Sequence, residues 1–131
     1  MISDSISDFL TRIRNSLLAK HEKLIVRSSR ITVRISNILL EEGYVLSLKK
    51  KKDGLNKYIE LELKYDKNHG SIIIGLKRLS KSGLRLYTSV KNIPVIRNGM
   101  GISIISTSKG IMTCKNAKKK NVGGELICAI W

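Results

Sequence analysis

Acid is scarce in the second half of this 131-residue chain. From Lys67 to Trp131, Glu125 stands alone against nine Lys and three Arg, whereas Met1 to Asp66 sets nine acids against eight Lys and five Arg. A field so lopsided argues against an ordinary solvated enzyme surface, which mixes its signs, and for a polyanionic partner. Long apolar runs are also missing: none approaches the roughly 20 residues needed to cross a bilayer, and Met1-Ile2-Ser3-Asp4 opens neither a signal nor a transit peptide. A soluble protein that works where it is made is expected. No Lys/Arg-rich amphipathic helix with a Trp or Phe anchor is present, which sets aside a membrane surface.

Cysteine is nearly absent too. Cys114 and Cys128 lie far from each other and from His21 and His69, without the close spacings of a zinc site, so no metal and no internal disulfide are expected. Cys128 alternates within a strand pattern, where a small buried hydrophobe is the common case. Gly-x-Ser-x-Gly, a phosphate-cradling glycine loop and His-Glu-x-x-His are all missing. Neither an enzyme, nor a cofactor, nor a small-molecule substrate is indicated.

What is there is a hydroxyl cluster. The apolar run Ile102 to Ile105 stops at Ser106-Thr107-Ser108, followed by Lys109 and Gly110, so short donor-acceptor groups are presented at a strand end. Hydroxyls of this kind reach ribose, phosphate or a splayed base edge, which favours RNA over DNA.

With 42% apolar residues the chain can bury a core. Ile6, Phe9, Leu10, Ile13 and Leu17 predict an amphipathic helix from about Asp4 to Lys20, capped by Ser3 or Ser5 with Asp4 and Asp8. Leu24 to Arg27 reads as a strand, and Ser28-Ser29 caps a helix striped by Ile31, Ile35, Ile38 and Leu39 and closed by Gly43. The period then becomes two. Tyr44 to Lys49 and Tyr58 to Tyr65 form a hairpin around Asp53-Gly54, with Glu60, Glu62 and Lys64 on its polar face and Lys49 to Lys52 at its tip. That lysine run is a solvated loop or an RNA contact.

Asp66 to Gly70 has no apolar residue and coincides with the charge shift. Residues 1–66 are therefore expected to form an N-terminal helix-strand-helix-hairpin unit, 67–70 a linker, and 71–131 a C-terminal, mostly antiparallel β unit with short helices that binds RNA. Strands are predicted at Ser71 to Leu79, Leu84 to Tyr87, Gly101 to Ser106 and Glu125 to Trp131, a turn at Ser80 to Gly83, one helix ending before Pro94, and another capped by Thr113 and running to about Lys119. The fold class is α+β, two small packed domains that should unfold together.

The pieces Asp8 to Asn15, Leu39 to Tyr44, Lys77 to Lys81, Gly83 to Tyr87, Ser106 to Thr113 and Gly123 to Glu125 run in order along nearly the whole chain and resemble the eighth protein of the small ribosomal subunit, in its bacterial and chloroplast form. The resemblance implies a structural component that binds the central domain of small-subunit ribosomal RNA directly, early in assembly, beside neighbouring small-subunit ribosomal proteins. It also implies that Ser106, Thr107 and Ser108 meet an irregular internal loop with Glu125 close by, and that Tyr87 and Arg30 fall at positions similar to RNA contacts. Chemistry gives these residues parallel roles. Tyr87 offers a stacking plane, while Arg30, Arg78, Arg85 and Lys109 can neutralise phosphates. Glu125 costs Coulomb energy beside a polyanion unless it accepts from base amines or orients a basic side chain, so a positioned partner is expected; a simple surface carboxylate is the other reading.

Some positions depart from the family pattern: Ser82 where proline is usual, Cys114 where aspartate is usual, and Val95 where a basic residue is common. Nineteen Ile, seventeen Lys and eight Arg suggest AT-rich coding, and the ending Leu126 to Trp131 looks like the chloroplast branch, a ribosome of the plastid stroma. An AT-rich bacterium, with the protein in its cytoplasm, is the alternative. The rival function is a free-standing RNA-binding regulator.

Overall fold

The computed structural model describes residues 2–81, 83–93 and 101–131, with side chains from Ser5 onward. The expected roles of Ser82 in a turn and of Pro94 and Val95 fall outside the described residues, whereas the first helix starts at Ile2 and not near Asp4, so Ser3, Asp4 and Ser5 lie inside it and not at its cap. Contacts divide the chain into two units, Met1–Ile72 and Ile73–Trp131, and the mixture of helices and antiparallel sheets is α+β.

In the first unit, α1 (Ile2–Leu18) and α2 (Arg30–Glu41) accompany a sheet of β1 (Lys23–Arg27), β2 (Val45–Asp53) and β3 (Asn56–Leu63), in the order β1-β3-β2 and antiparallel throughout. The helical stripe buries Ile6, Phe9, Leu10, Ile13 and Leu17 of α1 and Ile35, Ile38 and Leu39 of α2. The sheet contributes Leu24, Val26, Ile59, Leu61 and Leu63 to the buried set, each worth about 1.5–3 kcal/mol of transfer free energy.

Both ends of α2 are set by local chemistry. Thr32 N donates to Ser29 Oγ at 3.2 Å while Ser29 N donates to Thr32 Oγ1 at 2.8 Å, a reciprocal cap. At the other end Gly43 takes φ +80°, so that Gly43 N reaches Leu40 O and Tyr44 N reaches Leu39 O, a Schellman closure that a side chain at Gly43 would strain. Asp66 Oδ1 accepts from Asn68 N and Gly70 N, and Tyr65 bridges Ser71 in antiparallel fashion, so 66–70 is a closed turn on the first unit.

Two expectations for this unit change. The run Lys49 to Lys52 is not a loop at the hairpin tip but part of β2, paired with Glu60 to Lys57, because lysine backbones ladder as well as any and Gly54, at φ +62°, turns the chain only after Asp53. Glu60 lies on the polar face as alternation requires, yet it is only 6% exposed, because Lys51 folds over it with Nζ 3.0 Å from Oε1. That hydrogen bond, together with the charges of Lys51, Lys23 and Lys49, outweighs desolvation and holds its carboxyl below the usual range.

The second unit is built around β8 (Gly124–Ile130). β4 (Leu76–Arg78) pairs with its far end, β5 (Tyr87–Thr88) with its near end and β6 (Ile102–Thr107) along its length, while β7 (Gly110–Thr113) extends from β6. α3 (Cys114–Lys119) starts at Thr113, whose hydroxyl accepts from Asn116 N at 3.2 Å, and buries Cys114 and Ala117 with Ile93, Ile105, Met112 and Leu126. A single 3-10 turn at Val90–Asn92 stands where a helix is expected.

The strand expected from Ser71 to Leu79 is cut to three residues. Ile74 N and Gly75 N both donate to Trp131 O, and a Cβ on Gly75 would sit 2.4 Å from the Trp131 ring, so this segment wraps the end of β8 before it can pair along it. The strand expected from Leu84 to Tyr87 is likewise replaced by a Lys81–Leu84 bridge followed by β5.

Candidate nucleic-acid interface

The hydroxyl cluster is a hairpin end, not an open loop. Ser106 and Thr107 belong to β6, Thr107 pairs with Gly110, and Ser108-Lys109 make the turn, with Gly110 at φ +111°. The strand runs past the apolar residues because serine and threonine satisfy a ladder normally and threonine favours it. The Thr107 hydroxyl is engaged in this turn: it donates to Gly110 O at 2.8 Å and accepts from Lys109 N at 3.1 Å. Ser108 and Lys109 are exposed, and Ser106 is half-buried.

Register then gathers residues distant in sequence. Glu125 pairs with Ser106 on one side and with Tyr87 on the other, and directly opposed residues of antiparallel strands point to one face. Ser106, Glu125 and Tyr87 therefore form a row across three strands. The neighbouring glycines make it possible. A Cβ on Gly124 would lie 2.0 Å from Ser106 O, and one on Gly123 2.4 Å from Thr88 O, so β5, β8 and β6 close only around bare backbone.

Glu125 has the positioned partner its isolation calls for. Arg85 Nη1 donates to its Oε2 at 3.0 Å, and the hydroxyl of fully buried Ser80 donates to the same oxygen while accepting from Leu86 N at 3.2 Å. Burial opposes ionisation of Glu125, but the hydrogen bonds from Ser80 and Arg85 and the charges of Arg85 and Arg78 prevail, so its pKa lies below the ordinary carboxylate value. Ser80 is the residue that sequence reasoning missed. It reads as turn chemistry, and no local signal announces a bond to a side chain 45 positions away.

Arg78 is lodged against β8. Its Nη1 donates to Ile127 O at 3.3 Å, and its Nε and Nη2 are buried with no protein partner. Burial lowers its pKa, opposed by Cys128 and Glu125 and assisted by Arg85, yet a guanidinium so placed stays charged and adds to the field that holds Glu125 ionised. Of the other expected residues, Tyr87 is 72% exposed, while Arg30, the exposed first residue of α2, belongs to the first unit and is not part of this row.

This constellation is unsuited to catalysis. Ser80 has no exposed surface, and a carboxylate with a depressed pKa is a weak base. What reaches the surface is the Ser106 and Ser108 hydroxyls, the Tyr87 ring and basic side chains. Fold and charge together define a basic α+β protein, and this row offers no reaction centre.

Comparison with known proteins agrees. The model of the family Ribosomal protein S8 matches residues 4–131. The chain is 49% identical over 131 residues to the small ribosomal subunit protein uS8 of Clostridium kluyveri, covering 100% of this chain and 99% of that protein. It is 50% identical over 129 residues to that of Acetivibrio thermocellus, with 98% of each covered, and 47% identical over 131 residues to that of Lactobacillus delbrueckii subsp. bulgaricus, covering 100% and 99%. The chain belongs to the ribosomal protein S8 family, whose members are structural rather than enzymatic.

Proposed function

We propose that this protein is a structural component of the small ribosomal subunit that binds the central domain of small-subunit ribosomal RNA directly through the Ser106–Glu125–Tyr87 row and the Ser108-Lys109 turn, and so assists assembly beside neighbouring ribosomal proteins. The name shared by the relatives and the family support the subunit; the row supports the RNA. The observation that carries the reading is the state of Glu125. Arg85 and Ser80 satisfy it from within the protein, so the one acid of a strongly basic unit does not repel a polyanion and the hydroxyls beside it are free to meet ribose and base edges. Arg85 and Lys109 flank the row to neutralise phosphates, and half-buried Arg78 adds its charge to the same field.

The ending Leu126 to Trp131 supports a plastid ribosome as the place of work, the Ile- and Lys-rich composition fits a plastid or an AT-rich bacterium alike, and the relatives compared are bacterial and fit a bacterial cytoplasm. The test is co-sedimentation of the tagged full chain with the small subunit, together with chemical footprinting of the RNA. Protection within the central domain is expected. Migration as a free protein or a soluble dimer would favour the free-standing regulator instead.

A further inference from the structure

The hydroxyl row leaves unexplained the largest concentration of charge in the first unit. Of the fourteen Lys and Arg between Met1 and Ile72, five (Lys49, Lys50, Lys51, Lys52 and Lys57) lie between Lys49 and Tyr58, where Asp53 is the only acid; the remaining nine are matched by eight acids. Apart from this stretch the unit is nearly neutral.

The structure gives the stretch a definite shape. It is the outer part of the β2–β3 ribbon, in register from Lys49–Glu60 to Asp53–Asn56 and closed by Gly54-Leu55. β1 pairs with β3 as far as Tyr58, Ser28 N then donates to Lys57 O at 2.8 Å and Arg27 Nη2 to Asn56 Oδ1 at 3.3 Å, and every residue from Lys49 to Lys57 is exposed. Lys51 is committed to Glu60. Among the described residues, Lys49, Lys50, Lys52 and Lys57 have no ion-pair partner.

One pairing is decisive. Lys52 stands directly opposite Lys57, a like-charge pair that costs stability in a sheet. Lysines that merely protect an edge against another strand belong on the edge itself, yet Lys57 sits on β3, the central strand. Lys49, Lys50 and Lys52 lie on β2, an edge strand, where they also discourage further pairing, but the self-repelling Lys52–Lys57 pair goes beyond that and is relieved by an anion placed between the two ammonium groups. Because side chains alternate, Lys49 and Lys51 project from one face of the ribbon and Lys50 and Lys52 from the other, with lysines on one face about 6.6 Å apart. A flat acidic protein patch can meet one face. A polyanionic backbone passing the ribbon can meet both.

We propose that the β2–β3 ribbon is a second RNA contact, a phosphate-binding arm using Lys49, Lys50, Lys52 and Lys57 that adds affinity without reading sequence. This rests on the RNA-binding function proposed above and adds a site to it on the first unit.

Lysine acylation footprinting of the full chain, free and bound to a small-subunit ribosomal RNA transcript without other proteins, tests it. Reactivity of Lys50, Lys52 and Lys57 should fall at least about fivefold on binding. The combined Lys50→Gln, Lys52→Gln and Lys57→Gln variant, which also removes the repulsive pair and so should fold, should flatten log K against log salt by about 2 to 3 units. Ribbon lysines that stay reactive while Lys109 is protected would overturn the arm and leave the hydroxyl row standing. Protection that arises only after neighbouring ribosomal proteins are added would also overturn it, in favour of protein docking. Protection of the ribbon without Lys109 would support the arm and count against the row.

Discussion

Glu125→Gln removes the charge at the centre of the row and keeps its shape. In the folded protein the carboxylate accepts from Arg85 Nη1 at 3.0 Å and from Ser80, with the two side chains of the ion pair 33% and 18% exposed. A hydrogen bond to a charged group contributes about 1.5–3 kcal/mol when well shielded. A Gln oxygen still accepts from Ser80, and solvent at Arg85 screens part of the loss, so the expected destabilisation is about 1–2 kcal/mol, roughly 4–8 °C in Tm. The effect on RNA separates two possibilities. A bystander acid, once neutralised, would strengthen binding to any RNA by relieving repulsion. An acid that holds Arg85 in place against phosphates should instead, when neutralised, weaken the central-domain fragment and an unrelated duplex alike. Fluorescence titration of a central-domain fragment and of a duplex of equal length, at a temperature where both proteins are folded, measures this. A parallel gain on both RNAs would refute the positioning role of Glu125.

Gly124→Ala should be severe, at about 3 kcal/mol or more, because the new Cβ would meet Ser106 O at 2.0 Å and force β6 from β8; thermal unfolding reads it out. Glu125 and Glu60 both have depressed folded pKa values, so their contribution is complete at neutral pH and is lost as pH falls from the unfolded value of about 4.3 through the lower folded values; denaturant midpoints measured from pH 7 down to pH 3 should show that acid-side loss. Cys128, pushed up to about 12 by burial, and Cys114, also raised by burial, should resist a thiol reagent at pH 8 in the native protein and react on unfolding, which a colorimetric assay follows.

Wherever burial imposed a period, the sequence was legible. Ile6, Phe9, Leu10, Ile13 and Leu17 announce α1, Thr113 and Gly43 mark helix ends, and alternation gives the face of β3. Elements defined by backbone pairing without a matching side-chain period were harder to see. Lys49 to Lys52 and Ser106-Thr107 look like loops, yet both continue strands whose partners lie elsewhere. Ser71 to Leu79 looks like one strand and is broken by Trp131. The residue types of the candidate site were legible as chemistry, but their convergence was not. That Glu125 meets Ser80, Arg85, Ser106 and Tyr87 is a consequence of β8 register, and Ser80 in particular is buried polar structure that a turn-like sequence conceals.

The most direct test of RNA recognition by the row compares two kinds of substitution across a salt series. Thr107 is a poor choice, because its hydroxyl closes the turn; Ser106→Ala and Ser108→Ala probe the surface without that bond. Each should cost about 1 kcal/mol on the central-domain RNA, spare unrelated RNA and leave the salt slope unchanged, whereas Lys109→Ala should weaken both RNAs and flatten the slope by somewhat under about one unit. Equal losses on both RNAs for all three variants would contradict specific recognition by the hydroxyl row and leave only the basic field.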